Sequence, residues 1–230
     1  MFEELRQVLL AAPANASRSD YGHEIIEGNC LSKATAATRR LTNQRLGELY
    51  GLDNAIPLFR VLRRLWDIDQ SGRPLLAILA AIARDPLLAA TCAAIIPTEA
   101  GLDFQREPMK KALRSLVGDR LNERVLEKVC RNAASSWTQS GHLEGRTFKK
   151  RRRVSATPAS VAFAVYLANG AGFSGAATLS SSWLRILDCS PSIAQRLALE
   201  AKQIGLLDMR VASAVIELNV SRLDPIQSRA

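Results

Sequence analysis

The stretch Asn122–Pro158, "NERVLEKVCRNAASSWTQSGHLEGRTFKKRRRVSATP", holds two patterns joined at a glycine. Asn122 is placed to cap a helix and Gly141 to end it. Past Gly141 the helical pattern stops. Leu143, Phe148 and Val154 are separated by charge and glycine, and "HLEGRTFKKRRRVSATP" is too short and interrupted for a helix of any length. It reads as two short strands around a basic tip. A helix, a terminal glycine, an apolar residue and a strand pair is how a winged helix passes from its third helix into its wing. The same order recurs at the C-terminal end. Ser190 caps "SPSIAQRLALEAKQIG", Pro191 takes the first helical position, Gly205 ends it, and "LLDMRVASAVIELNVS" reads as a β-hairpin.

Outward from these two units the chain reads as helix after helix. "FEELRQVLLAA" and "YGHEIIEGN" are short helices. Ser32 is a candidate cap for "KATAATRRLTNQRLGELYGL", where Ala34, Thr38, Leu41, Arg45, Leu49 and Leu52 recur at helical spacing. "IPLFRVLRRLWDI" places Leu58, Leu62, Leu65 and Trp66 on one face, with Arg60, Arg63 and Arg64 outward. Helices over "EPMKKALRSLVGDR", "PASVAFAVYLANG" and "TLSSSWLRILD" complete the set. The expected fold class is mainly α. Residues 1–105 form a helical domain with a helix-turn-helix-like element, and residues 106–230 are winged-helix-like, α plus a small β-hairpin.

Composition narrows the function. The 230 residues carry a net charge of +9, which favours an anionic partner. Arg146, Lys149, Lys150, Arg151, Arg152 and Arg153 lie together without an acid, and removing these six leaves +3 on the rest. The charge is therefore local. Leu75–Ile96 is the strongest candidate for a membrane span, but Arg84 and Asp85 sit at its centre before Pro86. Each central charge opposes insertion by roughly 2.5–3.5 kcal/mol, so two buried helices joined at Arg84–Pro86 are expected instead. The N-terminus has glutamates where a signal peptide needs positive charge. Cys30, Cys92, Cys130 and Cys189 stand at least 38 residues apart, which excludes a zinc ribbon and suits a reducing, cytoplasmic setting.

Catalysis has little to stand on. No GxSxG, Walker loop or HExxH motif occurs. Asp103, Glu107 and Lys110 are spaced wrongly for a tight metal site, and the glycines of Gly170–Thr178 follow no strand. His142, in the helix-to-wing turn, suits hydrogen bonding better than base chemistry. No enzyme activity, cofactor or metal is expected. Binding has three candidate contact sets. Lys149–Arg153, with Arg146, would contact phosphates as a wing or loop; a solvated loop and an import signal are the competing readings. Arg124, Lys128 and Arg131 share a helix face, as a recognition helix requires, although Glu123 and Glu127 dilute the charge. Val125, Val129 and Ala133 would pack inward. Arg39, Arg40 and Arg45 form an auxiliary set on the basic N-terminal helix.

"HEIIEGNCLSKATAATRRLTNQRLGEL" resembles the N-terminal region of the BrxA-like accessory proteins of bacteriophage exclusion (BREX) systems, through Glu27, Asn29, Leu31, Ser32, Thr35, Arg39, Arg45 and Leu46. "VLEKVCRNAASSWTQSGHLEG" also looks like that family's helix leading into a turn, and the resemblance spans Tyr21–Pro158. It implies a non-enzymatic, mainly helical protein that binds double-stranded DNA in a prokaryotic phage-defence locus, with other defence-system proteins as further partners. Two other readings stay open: an adaptor docking a larger defence enzyme, and an RNA-binding helical protein.

Overall fold

The computed structural model describes residues 1–212 and 215–225. The chain begins with α1 (Phe2–Ala11), α2 (Arg18–Ile26) and α3 (Ala36–Tyr50). Helix α2 starts before the expected Tyr21, because Ser17 and Asp20 form a capping box. Helix α3 starts later than expected. Thr35, not Ser32, is its cap; Ser32 lies in the left-handed region at φ 50°. Asn29 is left-handed too, at φ 48°, and its side-chain carbonyl accepts the Lys33 N–H at 2.8 Å. This local bonding extends the connection between α2 and α3 to Glu27–Thr35, longer than the three- to four-residue turn of a DNA-binding helix-turn-helix. The buried stripe of α3 also differs from expectation: Thr42, Leu46 and Tyr50 are buried while Leu41 is exposed. Thr42 can be buried because its hydroxyl donates to the Thr38 carbonyl at 2.8 Å.

Helix α4 (Pro57–Ile68) buries Phe59, Leu62, Leu65 and Trp66. Arg63, expected to face outward, is buried instead, paired with Asp67 and donating to the Leu9 carbonyl. The apolar segment Leu75–Ile96 is bent as expected. Helix α5 (Arg73–Arg84) gives way to α6 (Pro86–Ala90) and α7 (Cys92–Ile95) through a turn of 106°. Asp85 makes the break, accepting from the N–H groups of Leu87 and Leu88 as the cap of α6. Among the described residues no single helix is long and apolar enough to cross a membrane.

Next come α8 (Arg106–Val117), α9 (Glu123–Gln139) and a hairpin of β1 (Leu143–Glu144) and β2 (Lys150–Arg151). Then follow α10 (Pro158–Gly170), α11 (Gly175–Leu179), α12 (Ser182–Ile186) and α13 (Pro191–Gln203). A second antiparallel hairpin, β3 (Asp208–Ala212) with β4 (Val215–Asn219), closes the fold. Ser213 and Ala214, in the expected middle of this hairpin, lie outside the described residues. Helix α10 is the central post. It is buried from Ala159 to Val165 and packs against α4, α5, α12 and α13. A single buried apolar cluster runs from Leu5 to Leu223, on both sides of residue 105. Arg60, expected to face outward, is half-buried and pairs at 2.7 Å with the buried Asp224, tying α4 to the segment after β4.

Candidate nucleic-acid interface

Helix α9 is capped by Asn122, whose side chain accepts the Val125 N–H at 3.0 Å. Its inward side is Leu126, Cys130, Ala133 and Trp137, all buried. Val125, expected among the packing residues, is 40% exposed; Val129 and Ala133 do pack inward. A 3.6-residue repeat accounts for this, since Leu126, Cys130, Ala133 and Trp137 lie one above another and Val125 falls on the next strip.

Arg124, Lys128 and Arg131 are all exposed on one stripe, and Ser135 and Thr138 continue it. None of the three cations has an ion-pair partner among the described residues. The acids that would dilute them are engaged elsewhere. Glu123 pairs with Lys110 and Arg114 of α8, and Glu127 pairs with Arg106 and Lys110. The hydrogen bond from Lys110 lowers the Glu123 carboxyl and correspondingly raises the lysine. Helix α8 thus neutralises the acidic strip of α9 and leaves the basic strip free.

The hairpin begins where that stripe ends. Lys149 reaches back, its ammonium donating to Thr138 Oγ1 and to the Gly145 carbonyl, each at 2.8 Å. Burial lowers its pKa. The strand pairing is Leu143 with Arg151 and Glu144 with Lys150. Because side chains alternate across a strand, Lys150 and Arg151 face opposite ways. Lys150 is exposed. Arg151 is 2% exposed and points into the protein. Its guanidinium is held by the Asp188 carboxylate at 2.5 Å and the Ile95 carbonyl at 3.1 Å, and it also donates to the Arg152 carbonyl. The expected row of five solvent-facing cations is therefore interrupted: one of the five is a buried clasp. Arg152 is exposed and pairs with Glu144 at 3.1 Å, while Arg146 and Arg153 are exposed without an ion pair among the described residues.

The base of the hairpin is fixed by buried groups. Trp137 donates from Nε1 to Thr91 Oγ1 at 2.7 Å, and its ring meets the His142 ring edge-on, with centroids 4.8 Å apart. Burial pushes the His142 imidazole down to about 4, so it is neutral. Its Nε2–H donates to the Ile186 carbonyl at 2.7 Å, and Nδ1 accepts from Ser140 Oγ at 2.8 Å. Asp188, at φ 54°, completes the clasp by accepting the Val154 N–H at 2.9 Å. The other side of β2 is covered by 101–104: Leu102 O accepts the Arg151 N–H at 2.9 Å, and Phe104 N–H reaches Lys149 O at 2.7 Å. Neither Asp188 nor this extra edge stood out in the sequence. Asp188 is 37 residues from Arg151, and no local pattern signals the pairing.

The auxiliary set divides. Arg45 lines a cleft of about 610 Å³, shared with Glu48, Arg84 and, on α9, Asn132, Ser135 and Ser136. It therefore stands beside α9. Arg39 and Arg40 lie six and five residues earlier on α3, roughly 8–9 Å along the axis and off Arg45's face. Arg40 is exposed, whereas Arg39 is half-buried and its Nε is without a hydrogen-bond partner. Among the described residues no group of three or more His, Cys, Asp or Glu side chains could hold a metal ion. Lys110, considered with Asp103 and Glu107, is turned to Glu123 and Glu127 instead. Scans of protein-family models, of curated proteins and of solved structures find no match to this chain.

Proposed function

We propose that the protein is a non-enzymatic binder of double-stranded DNA, in which α9 and the hairpin after it act as the recognition helix and wing of a winged-helix-like unit. One observation carries this reading: Arg124, Lys128, Arg131, Arg146, Lys150 and Arg153 are exposed and lack ion-pair partners among the described residues, while the neighbouring acids are paired. Unpaired cations on a rigid frame neutralise phosphates without first breaking internal pairs, and they release counterions on binding. Such contacts fix register on the duplex and confer little sequence preference. Arg40 and Arg45 are auxiliary contacts, Arg45 beside α9. Arg151 is left out of the interface as a buried support. A place in prokaryotic phage defence, in the cytoplasm and alongside other defence proteins, rests on the resemblance over Tyr21–Pro158 alone.

The test is a competition titration. A labelled random-sequence duplex is bound at low salt and challenged with unlabelled duplex DNA, single-stranded DNA and duplex RNA. Duplex DNA is expected to compete best. Equal or better competition by duplex RNA would move the reading to RNA, and no binding at low salt would leave the adaptor as the better account.

A further inference from the structure

Phe148 is 88% exposed, more than any other large apolar side chain among the described residues. A single exposed apolar residue is ordinary on a protein surface. What distinguishes Phe148 is its carrier. Gly145, at φ 104°, brings the turn so close that a Cβ there would lie 2.1 Å from the Phe148 carbonyl oxygen. The tip is a short five-residue connection, Gly145–Lys149, whose last residue is held by the Lys149 contacts to Thr138 and Gly145. Behind it stands the buried Arg151–Asp188 clasp. Arg146 and Lys150 lie two residues to either side of Phe148 in the chain, both exposed and without an ion pair among the described residues. Six other aromatic side chains pack differently: Tyr21 with Phe59, Phe2 with Trp66, and Phe163 with Tyr166 form ring pairs.

From this we infer that Phe148 is a base-stack wedge, so that the preferred ligand is duplex DNA containing an easily unstacked step, such as one unpaired base. The inference rests on the duplex-binding reading above. Cations on either side of the ring would hold the two backbones while the ring enters between bases. Proteins that bend DNA insert apolar side chains in this way, and the cost of unstacking is least where a base is already unpaired. A tip braced at its base suits the role, since part of the ordering has been done before binding. A membrane is the less suited partner, because insertion there needs an amphipathic face rather than one ring on a charged tip.

The experiment compares a perfect duplex with the same duplex carrying one unpaired base and a 2-aminopurine beside it. The wild-type protein is expected to prefer the second by about tenfold and to raise 2-aminopurine fluorescence, the size set by one base–aromatic stack. Phe148→Ala is expected to bring the ratio near one while leaving the salt dependence and the thermal midpoint unchanged, and Phe148→Trp to retain the preference. A ratio unaffected by Phe148→Ala, or no wild-type preference while the perfect duplex still binds, overturns the wedge and leaves the duplex reading standing. Absence of binding to either duplex overturns both. Binding to anionic vesicles that requires Phe148, with DNA affinity indifferent to it, assigns the ring to a membrane and overturns the wedge.

Discussion

Two regions of the molecule follow the same path and present different surfaces. In one, α9 ends at Gly141 (φ 84°) and leads through Leu143 into β1 and β2. In the other, α13 ends at Gly205 (φ 75°) and leads through Leu206 and Leu207 into β3 and β4. Both helices carry a side-chain cap, Asn122 in the first and Ser190 in the second. The cations of the second unit are largely spent internally: Arg196 pairs with Glu200, Lys202 donates to the Met209 carbonyl, and Arg222 pairs with Asp208. Its exposed side chains include Ile193, Leu199, Ile204, Val211 and Val215. The first unit keeps Arg124, Lys128 and Arg131 of its helix free, because α8 takes up that helix's acids. Path is set by caps, glycines and the two buried residues after each glycine; surface is set by which charges find partners within the fold.

The widest gap between the units is expected in DNA affinity. Replacing Arg124, Lys128, Arg131, Arg146, Lys150 and Arg153 together by glutamine should weaken duplex binding about 10³-fold, and replacing Arg196, Lys202 and Arg210 should change it by less than about threefold. Fluorescence anisotropy reads both, and equal losses would break the distinction.

Stability should separate them next, since each unit is braced by one Asp–Arg pair. Asp188→Ala strands the buried Arg151 guanidinium and should cost about 3–5 kcal/mol. Asp208→Ala breaks the exposed pair with Arg222 and should cost under about 1 kcal/mol. Denaturant midpoints decide this, and comparable losses would mean that the clasp behind the basic hairpin is not special.

A third contrast lies after the helix-ending glycine, where one unit has His142 and the other Leu206. Burial holds His142 at about 4, below the ordinary value near 6.5, so the unfolded chain takes up the proton first. Stability is full above about pH 6.5 and falls as the pH drops toward 4, by up to about 3 kcal/mol. His142→Leu, which copies the second unit, should flatten that decline in a series of unfolding curves against pH. An unchanged decline would place its origin elsewhere.

The smallest effect concerns the tip. Gly145→Ala forces a Cβ toward the Phe148 carbonyl and should cost about 1–2 kcal/mol through strain, with a several-fold loss of duplex affinity. Gly205→Ala meets no atom within 4 Å and should spare affinity. Equal losses of affinity would show that tip geometry is irrelevant to binding.

These contrasts also mark what the sequence could reveal. Both hairpins, the break at Asp85 and the caps Asn122 and Ser190 follow from local signals, a side chain and its own neighbours a few residues away. The start of α3 was less legible, because Asn29 and Ser32 take left-handed conformations that lengthen the turn. The basic run concealed most. Its five cations look equivalent as charge, but strand alternation turns Arg151 inward, and only the distant Asp188 makes that burial tolerable. The release of the α9 stripe was equally hidden, since it depends on Arg106, Lys110 and Arg114 from another helix.

The central claim is that α9 and its hairpin bind duplex DNA through phosphates. Its most direct test is the salt dependence of wild-type affinity for a random-sequence duplex. Six free cations predict a log–log slope of about −5. A slope near zero, or no binding at low salt, would contradict it.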